Sequence, residues 1–361
     1  MSVKKRLKTG FTTGTAAAAA AKGALFLILN QEKPSAVGIK LLTGEEIKIP
    51  IYTCKSYGKN KAECTVIKDA GDDPDITHKA RIGATVTLLG NEKQKKISIT
   101  GGKGVGVVTK PGLEVEPGEA AINPGPKKMI TQAVRESLGN DSNKSVKVEV
   151  FVPEGEKLAE KTLNARLGIL GGISILGTTG IEKPMSHDAY VSTIKSSLSI
   201  ARASGLKKVI LTTGRRSERF SQALFVKLSE EAFIQIGDFF KVSLETAAKK
   251  GFDKITIAVF FGKAVKMAQG APHTHAAKSS LSLQKLSAWS FEITNNREFA
   301  GNILSANTAR HAFNLINDAY PQVISHVGKL MVNSATVFAG KEVHIQGIIF
   351  DYSGNVIFDS Q

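Results

Sequence analysis

The chain has 361 residues, of which 42% are hydrophobic and 22% are charged, a balance typical of a globular protein with two domains. Its two cysteines are too few for a disulfide framework, which favours a reducing cytosol as its location. The net charge of +16 favours nucleic acid, a membrane surface or an acidic small molecule as partner.

The segment TGFTTGTAAAAAAKGAL, residues 9–25, places hydroxyls and glycines directly before six alanines. Thr13 or Thr15 is predicted to cap a buried, Ala-rich helix. Lys22 interrupts the apolar run, which is too short to span a bilayer, and no cleavage site follows it. Neither a membrane segment nor a signal peptide is therefore predicted. The hydroxyls and backbone amides could also bind a substrate carboxylate, and Thr-Thr-Gly returns at 178–180 and 212–214.

Residues 1–160 are predicted to form an α+β domain. The alternation of apolar residues indicates a hairpin around Thr43-Gly44, further strands, and a helix that begins after the prolines of NPGPKK and ends at Gly139. VKVEVFVP reads as one more strand. PEGEKLAEKTLNAR is predicted to be a linking helix at the domain boundary.

Two segments of this first domain carry candidate chemistry. DAGDDPDITH, residues 69–78, gathers four aspartates and His78, which could act as acid-base groups or metal ligands, although a turn with solvated aspartates has the same pattern. GGKGVGVVTKPG, residues 101–112, holds Lys103 and Lys110 among glycines. It resembles a loop that closes over an anion, and a glycine-rich hairpin would look similar.

From about Leu167 the pattern changes to strand-then-helix units, beginning with the apolar run LGILGGISILG. Four such units in succession predict an α/β, Rossmann-like domain over residues 161–361 with a mainly parallel sheet. Ligands of such sheets bind at the loops that follow the strands. The glycines in and after the first predicted strand therefore favour a nucleotide-like cofactor there, although glycine also permits tight packing.

The second predicted strand, KKVILTTG, leads into Arg215 and Arg216 instead of the acidic residue that usually holds ribose hydroxyls. The arginines would suit a phosphorylated nicotinamide cofactor or an acidic substrate. Asp238, after the third predicted strand, is a possible substitute for the missing acid. His273 and His275 have no obvious third ligand nearby, so no protein metal site is predicted.

The basic residues are scattered singly and in pairs, without an Arg-rich tail, zinc-finger spacing or an aromatic RNA-stacking motif. An acidic small substrate is therefore a strong alternative to nucleic acid as the reason for the charge.

Long blocks of the sequence, in order along most of the chain, resemble the CbiD family. They are TGFTTGTAAAAAAK, VIKDAGDDPDITH, GGKGVGVVTKPGLEVEPGEAAINPGPKKMI, LNARLGILGGISILGTTGIEKPMS, QIGDFFKVSLETAAKKGF and FFGKAVKMAQG. The departures are local. Ala16 stands where the family pattern has a cysteine, so no catalytic thiol is expected there, and THAAKSS departs from the pattern after His275.

The resemblance implies methylation of carbon 1 of cobalt-precorrin-5B by a cytoplasmic enzyme of anaerobic cobalamin biosynthesis. S-adenosylmethionine is the expected co-substrate, with the donor on residues 161–361 and corrinoid contacts on residues 1–160. The expected partner is the acidic cobalt corrinoid, whose carboxylates explain the basic charge. No protein-bound metal, nucleic acid or membrane partner is expected, and a homo-oligomer is possible.

Residue roles follow from the patterns and the resemblance together. The predicted catalytic residues are His78, Asp72 and Asp73. The predicted cofactor-binding residues are Gly172, Gly177, Thr178, Thr179, Gly180 and Asp238. The predicted substrate-binding residues are Thr12, Thr13, Thr15, Lys103, Lys110, Lys127, Arg215 and His275. The open alternatives are an NADPH-dependent corrinoid reductase and a non-catalytic corrinoid- or nucleic-acid-binding protein.

Overall fold

The computed structural model describes residues 7–91, 96–139, 144–184, 187–275 and 279–361. The prediction of a mixed α/β chain is confirmed. Contacts divide the chain into two compact units, Met1–His187 and Asp188–Gln361. The boundary predicted between residues 160 and 161 is too early, because the short strands within 169–182 pair with strands of the first unit.

The first unit is built on a five-stranded sheet. Its elements in chain order are β1 (Gly10–Phe11), α1 (Thr13–Asn30), β2 (Ala36–Lys40), β3 (Glu46–Pro50), β4 (Thr53–Ser56), β5 (Lys61–Ile67), β6 (Arg81–Asn91), β7 (Ile97–Gly101), β8 (Gly104–Val105), β9 (Val107–Val108), α2 (Pro124–Leu138), β10 (Lys144–Phe151), α3 (Gly155–Ala159), β11 (Ile169–Leu170), β12 (Gly172–Ile173) and β13 (Ile181–Glu182). The large sheet has the order β4-β5-β6-β10-β7, and only β10 and β7 run parallel in it.

Helix α1 forms the centre of the first core. Its six alanines, residues 16–21, are fully buried, and the helix packs against β5, β6 and α2. By length and composition alone α1 could cross a membrane, but 78% of its apolar window is buried inside the protein. The predicted buried helix is confirmed. Its N-cap is Thr12, not Thr13 or Thr15, because Thr12 has an extended backbone and its side chain accepts from the Thr15 amide.

Two expectations about the first unit need revision. Cys54 and Cys64 lie opposite each other on β4 and β5 and form a disulfide. The predicted buried strand LGILGGISILG forms only the short strands β11 and β12, which pair with β9 and β8. A Cβ at Gly172 would overlap the Gly104 carbonyl, so glycine here permits two backbones to meet and does not serve a strand-to-helix loop.

The second unit contains a sheet of five strands with helices between them. Its helices and strands are α4 (His187–Ala203), β14 (Lys208–Thr212), α5 (Arg215–Leu224), β15 (Phe233–Gln235), α6 (Phe240–Lys249), β16 (Lys254–Phe260), α7 (Phe261–Ala268), α8 (Ser279–Thr294), α9 (Arg297–Leu304), α10 (Ala309–Ala319), α11 (Gln322–Ala339), β17 (His344–Phe350) and β18 (Val356–Asp359). The order is β15-β14-β16-β17-β18. The first four strands run parallel, and β18 is antiparallel to β17.

Three of the four predicted strand-then-helix units are present in this sheet: β14 with α5, β15 with α6, and β16 with α7. Their strands are almost continuously apolar because both faces are covered. The central residues of β16, from Ile255 to Val259, are all buried. The unit predicted around LGILGGISILG is absent from it, so β14 is its first strand in chain order and β15 its second.

Candidate functional site

The first and second Thr-Thr-Gly sequences meet within the first unit. We call the segments 8–15, 68–78 and 174–182 the N-terminal junction. There the Thr15 hydroxyl donates to the Gly180 carbonyl at 2.7 Å, and the Leu176 amide donates to the Thr13 hydroxyl at 2.9 Å. Thr12, Thr13 and Thr15 are all buried. The hydroxyls predicted to bind substrate are thus engaged in joining the helix N-terminus to the second Thr-Thr-Gly.

The glycines of the second Thr-Thr-Gly region are required by this packing. A Cβ at Gly177 would overlap the Thr12 side chain, and one at Gly180 would lie 2.7 Å from the Leu41 side chain. Gly180 also has a φ of 94°, which favours glycine. Thr179 bonds to the backbone of Ile181, whereas Thr178 is exposed. These residues belong to the first unit, whereas the sequence predicted them as part of the second domain.

A buried ion cluster lies in the same junction. Lys68, only 1% exposed, forms ion pairs with Asp75 and with Glu182, the latter at 3.4 Å. Burial opposes ionisation of Asp75 most, but the Lys68 charge and bonds from Lys68 and Thr77 outweigh it and hold the pKa of Asp75 below its ordinary value. For Glu182, burial prevails and raises the pKa, and the Asp75 charge adds to the rise.

The predicted catalytic residues belong to the same N-terminal junction as this cluster. The Ala70 amide donates to Nδ1 of His78 at 3.1 Å, so the neutral ring carries its proton on Nε2. Asp72 accepts from the Lys8 amide at 2.6 Å, and Asp73 is half-buried. Among the described residues, no group of three His, Cys, Asp or Glu side chains forms a metal-binding arrangement.

The three predicted substrate-binding lysines of the first unit differ in their local surroundings. Lys103 is exposed between β7 and β8, and Lys110 is half-buried beside Gly168. Lys127, in the first turn of α2, pairs with Glu119 at 3.0 Å.

The second unit has a different kind of polar region, at the ends of its parallel strands. We call residues 212–218, 235–238, 260–263 and 350–352 the carboxyl edge. The chain passes from β14 to β15 on one side and later to β16 on the other. The direction of connection therefore reverses beside β14, and ligands of open α/β sheets bind at such a switch point.

Asp238 is the best-organised polar side chain of the carboxyl edge. Its Oδ1 accepts from Lys263, at the start of α7, and from the buried Thr274 hydroxyl at 3.0 Å. Burial opposes ionisation of Asp238 most, but these donors and the Lys263 charge outweigh it and lower its pKa. Tyr190 stacks on Phe239 with ring centroids 5.1 Å apart. Burial, Asp238 and Glu218 together raise the pKa of Tyr190, so its hydroxyl stays a donor.

The third Thr-Thr-Gly begins the open part of this edge. Gly214 is the N-cap of α5 without a side-chain cap bond, and a Cβ there would meet no atom within 4 Å. Arg215, the next residue, is exposed. His275 is also exposed, and its carbonyl accepts from Lys266 at 3.0 Å. Asp238 and Arg215 are thus on one edge of the unit, as residues that follow strands of the same sheet.

Sequence reasoning missed Lys263, Tyr190, Lys68 and Glu182. Lys263 follows a strand at a helix start, which is the signal used for the arginines after β14, so it was accessible from the sequence. Lys68 and Glu182 carried no such signal, because their proximity depends on β13 pairing with β1.

Family models extend these observations over most of the chain. Residues 1–184 match the model described as CbiD, and residues 273–361 match the model described as CbiD, C-terminal domain. The chain belongs to the CbiD family. The first match ends close to the division between the two compact units at His187.

Relatives named cobalt-precorrin-5B C(1)-methyltransferase match nearly the whole chain. The protein of Agrobacterium fabrum is 41% identical over 99% of this chain and 92% of its own. Those of Leptospira borgpetersenii serovar Hardjo-bovis and Priestia megaterium are each 39% identical over 98% of this chain, and over 95% and 96% of their own.

A crystal structure of a cobalamin biosynthesis protein (cbiD) from Archaeoglobus fulgidus is 29% identical and covers 71% of this chain and 78% of its own, with a TM-score of 0.40. A score this low supports no conclusion about the fold.

Proposed function

We propose that this protein transfers a methyl group from S-adenosylmethionine to carbon 1 of cobalt-precorrin-5B, in anaerobic cobalamin biosynthesis. Membership of the CbiD family and the names of relatives that match 98% or more of the chain support the reaction. The observation that supports a donor site on this chain is Asp238, which follows the second parallel strand beside the switch point.

The second unit fits the donor in a Rossmann-like manner. In such sites the loop after the first strand faces the ligand, and an acid after the second strand holds the ribose hydroxyls. With β14 as the first strand, Gly214 occupies the loop and Asp238 the position of the acid. Asp238 is therefore assigned as the ribose-binding acid, because β14, and not the run LGILGGISILG, is the first strand of this sheet in chain order.

Three groups of the carboxyl edge would hold the donor. Because Lys263 and Thr274 both bind Oδ1 of Asp238, the carboxylate is fixed, and Oδ2 is the oxygen that would accept from a ribose hydroxyl. The open backbone at Gly214 and the N-terminus of α5 suit the donor carboxylate. The donor itself supplies an electrophilic methyl group on a sulfonium leaving group. The residues named here position it, and positioning is the main catalytic contribution that we assign to them.

The predicted sites of the first unit stay predictions, with corrinoid contacts as the proposed role of this unit. Gly172, Gly177 and Gly180 are used by packing, so we move the donor from them to Gly214 and Asp238. His78 has its Nδ1 lone pair engaged, which disfavours it as a base. Burial raises the pKa of Glu182 and the Lys68 charge lowers that of Asp75, so Glu182 is the better proton acceptor of the two carboxyls in the ion cluster.

The partners are proposed from the substrate's chemistry. The acidic corrinoid accounts for the net charge of +16, with Arg215, His275, Lys103, Lys110 and Lys127 as contacts still to be tested. We propose a cytoplasmic protein that acts without a nucleic acid or membrane partner. No metal of its own is proposed either, because the cobalt belongs to the substrate. A homo-oligomer remains compatible with this assignment.

Anaerobic incubation with cobalt-precorrin-5B and methyl-labelled S-adenosylmethionine, followed by mass spectrometry, tests the reaction. We expect one labelled methyl group at carbon 1, and its loss in Asp238→Asn at limiting donor. Tight corrinoid binding without transfer would contradict the proposal and favour a carrier or a reductase. NADPH binding would then identify the reductase.

A further inference from the structure

Two aromatic rings stand at the ends of neighbouring strands of the carboxyl edge. Phe260 is the last residue of β16, and Tyr352 follows β17. The two rings are parallel within 1°, with centroids 5.8 Å apart. The Tyr352 hydroxyl lies beside the Gly262 backbone, in the first turn of α7. The pair is therefore fixed by the sheet beneath it and by the start of α7.

An arginine lies over each of these rings. The guanidinium carbon of Arg216, on α5, is 5.1 Å from the Phe260 centroid, and that of Arg310, on α10, is 4.8 Å from the Tyr352 centroid. Arg216 also donates to the Tyr352 carbonyl. Burial raises the pKa of Tyr352 and both arginines oppose the rise, so both charges act on the same hydroxyl. Stacking of this kind fixes the plane of a guanidinium and leaves its edge for hydrogen bonds.

Neither arginine has an acidic partner in the described ranges, and both are exposed. The acidic residues Glu218 and Asp351 of the carboxyl edge form hydrogen bonds with other groups. Glu218 accepts from Gln235 at 2.6 Å, and Asp351 accepts from the amides of its own turn, over residues 353–355. Each guanidinium therefore keeps donor edges that no described acid occupies, and a carboxylate is the anion whose geometry these planar donors match.

We propose that Arg216 and Arg310, each oriented by the stacked rings of Phe260 and Tyr352, form a pair of arginines that binds side-chain carboxylates of the acidic substrate. This assignment rests on the proposed function. A donor held at Asp238 and Gly214 occupies the ends of β15 and β14, and leaves the ends of β16 and β17 to the second substrate. Tyr352 lies about three strand spacings, or about 14 Å, along the sheet from Asp238.

The test uses Arg310→Met and Arg310→Lys in the full chain, with Arg297→Met as the matched control. Arg297 is also exposed and lies over a ring, Phe291, at 5.9 Å, but on α9, outside the carboxyl edge. Equilibrium dissociation constants are measured for cobalt-precorrin-5B by absorbance and for S-adenosylmethionine by calorimetry. The corrinoid titration is repeated with a corrinoid whose side-chain carboxylates are amides.

We expect Arg310→Met to weaken corrinoid binding on the order of tenfold or more, as for a lost charge-assisted bond. Arg310→Lys should recover part of the loss, and Arg297→Met should bind as the wild type does. The amidated corrinoid should bind more weakly to the wild type and lose little more in Arg310→Met, because the two changes remove the same interaction.

Equal corrinoid affinity for Arg310→Met and Arg297→Met would overturn the pair. Weakened S-adenosylmethionine binding with unchanged corrinoid binding would overturn its assignment to the substrate and give the carboxylate to the donor. If the wild type does not bind the corrinoid at all, the proposed function fails. A wild type that binds and methylates normally beside an unaffected Arg310→Met means that only the pair fails.

Discussion

The second and third Thr-Thr-Gly sequences are identical in letters and opposite in surroundings. Gly180 ends the second copy with a φ of 94° and with Leu41 and Thr15 against it, whereas Gly214 ends the third with an extended backbone and empty space around it. The second copy is bonded to the N-terminus of α1, and the third precedes α5 at the carboxyl edge. The glycine of this short motif therefore indicates a backbone that other groups can approach closely. The neighbouring residues determine whether the group that approaches belongs to the protein or to a ligand.

The same contrast separates the charged groups of the two units. Lys68 is sealed inside the N-terminal junction between Asp75 and Glu182, while Arg216 and Arg310 lie exposed on aromatic rings. We expect substitutions in the junction to change the free energy of unfolding. Substitutions at the carboxyl edge should instead change ligand affinity.

Lys68→Met should have the largest effect. It leaves Asp75 and Glu182 facing each other without their cation, and removal of one partner of a buried ion pair costs about 3–5 kcal/mol of unfolding free energy. Urea denaturation measures it. Lys241→Met, which breaks an exposed pair with Glu245 at 3.8 Å, is the control and should cost less than about 1 kcal/mol. Equal losses would show that burial does not distinguish the junction.

Gly180→Ala should come next, with a loss of about 3 kcal/mol, because it combines a left-handed backbone with contacts of 2.7 Å to Leu41 and 3.0 Å to Thr15. Gly214→Ala should cost no more than about 1 kcal/mol of unfolding free energy, since its Cβ meets nothing and only the preference for glycine at the N-cap of α5 is lost. Thermal or urea unfolding of both variants compares the two copies directly. A larger loss in Gly214→Ala would contradict the account.

Asp238→Asn should weaken S-adenosylmethionine binding about tenfold to a hundredfold, the range for a lost hydrogen bond to a charged group. Calorimetry measures the dissociation constant. Asp253→Asn, on the same unit before β16 at the opposite end of the strand, is the control and should bind normally. An unchanged affinity in Asp238→Asn would remove the ribose assignment.

The smallest expected effect is in the pH dependence of stability. Burial raises the pKa of Glu182, so the folded chain holds this proton more tightly than the unfolded chain. Stability should therefore decline as pH rises from the ordinary glutamate value of about 4.3 through the raised value. Glu182→Gln should flatten the decline in denaturation experiments. Glu136, whose pKa is lowered, should contribute with the opposite sign, losing stability as pH falls.

The periodic parts of the fold were predictable, and the pairing of short strands was not. Helices α1 and α2 and the succession from β14 to α7 follow from repeated apolar spacing and from their caps. The run LGILGGISILG has the composition of a buried parallel strand, but its glycines let it meet residues 101–112 instead. Glycines in this run indicate that another backbone segment can approach it closely, but they do not identify that segment.

That one misplaced strand explains most of the difference between the donor site predicted from the sequence and the donor site proposed from the structure. Counting LGILGGISILG as the first strand gave the donor loop to Gly177 and Gly180 and made Asp238 follow a third strand. Asp238 stays in the proposed donor site because its prediction depended only on its residue type and on its position after a strand. The ion cluster at Lys68 and the disulfide at Cys54 depend on strand register, which the sequence leaves open.

The central claim is that the donor binds at the third Thr-Thr-Gly and not at the second. Calorimetric titration of S-adenosylmethionine into Gly214→Val and Gly180→Ala, both under conditions where each variant is folded, tests it most directly. The account predicts that Gly214→Val abolishes binding, because the valine fills the open space, and that Gly180→Ala binds as the wild type does. Loss of binding in Gly180→Ala with normal binding in Gly214→Val would contradict it.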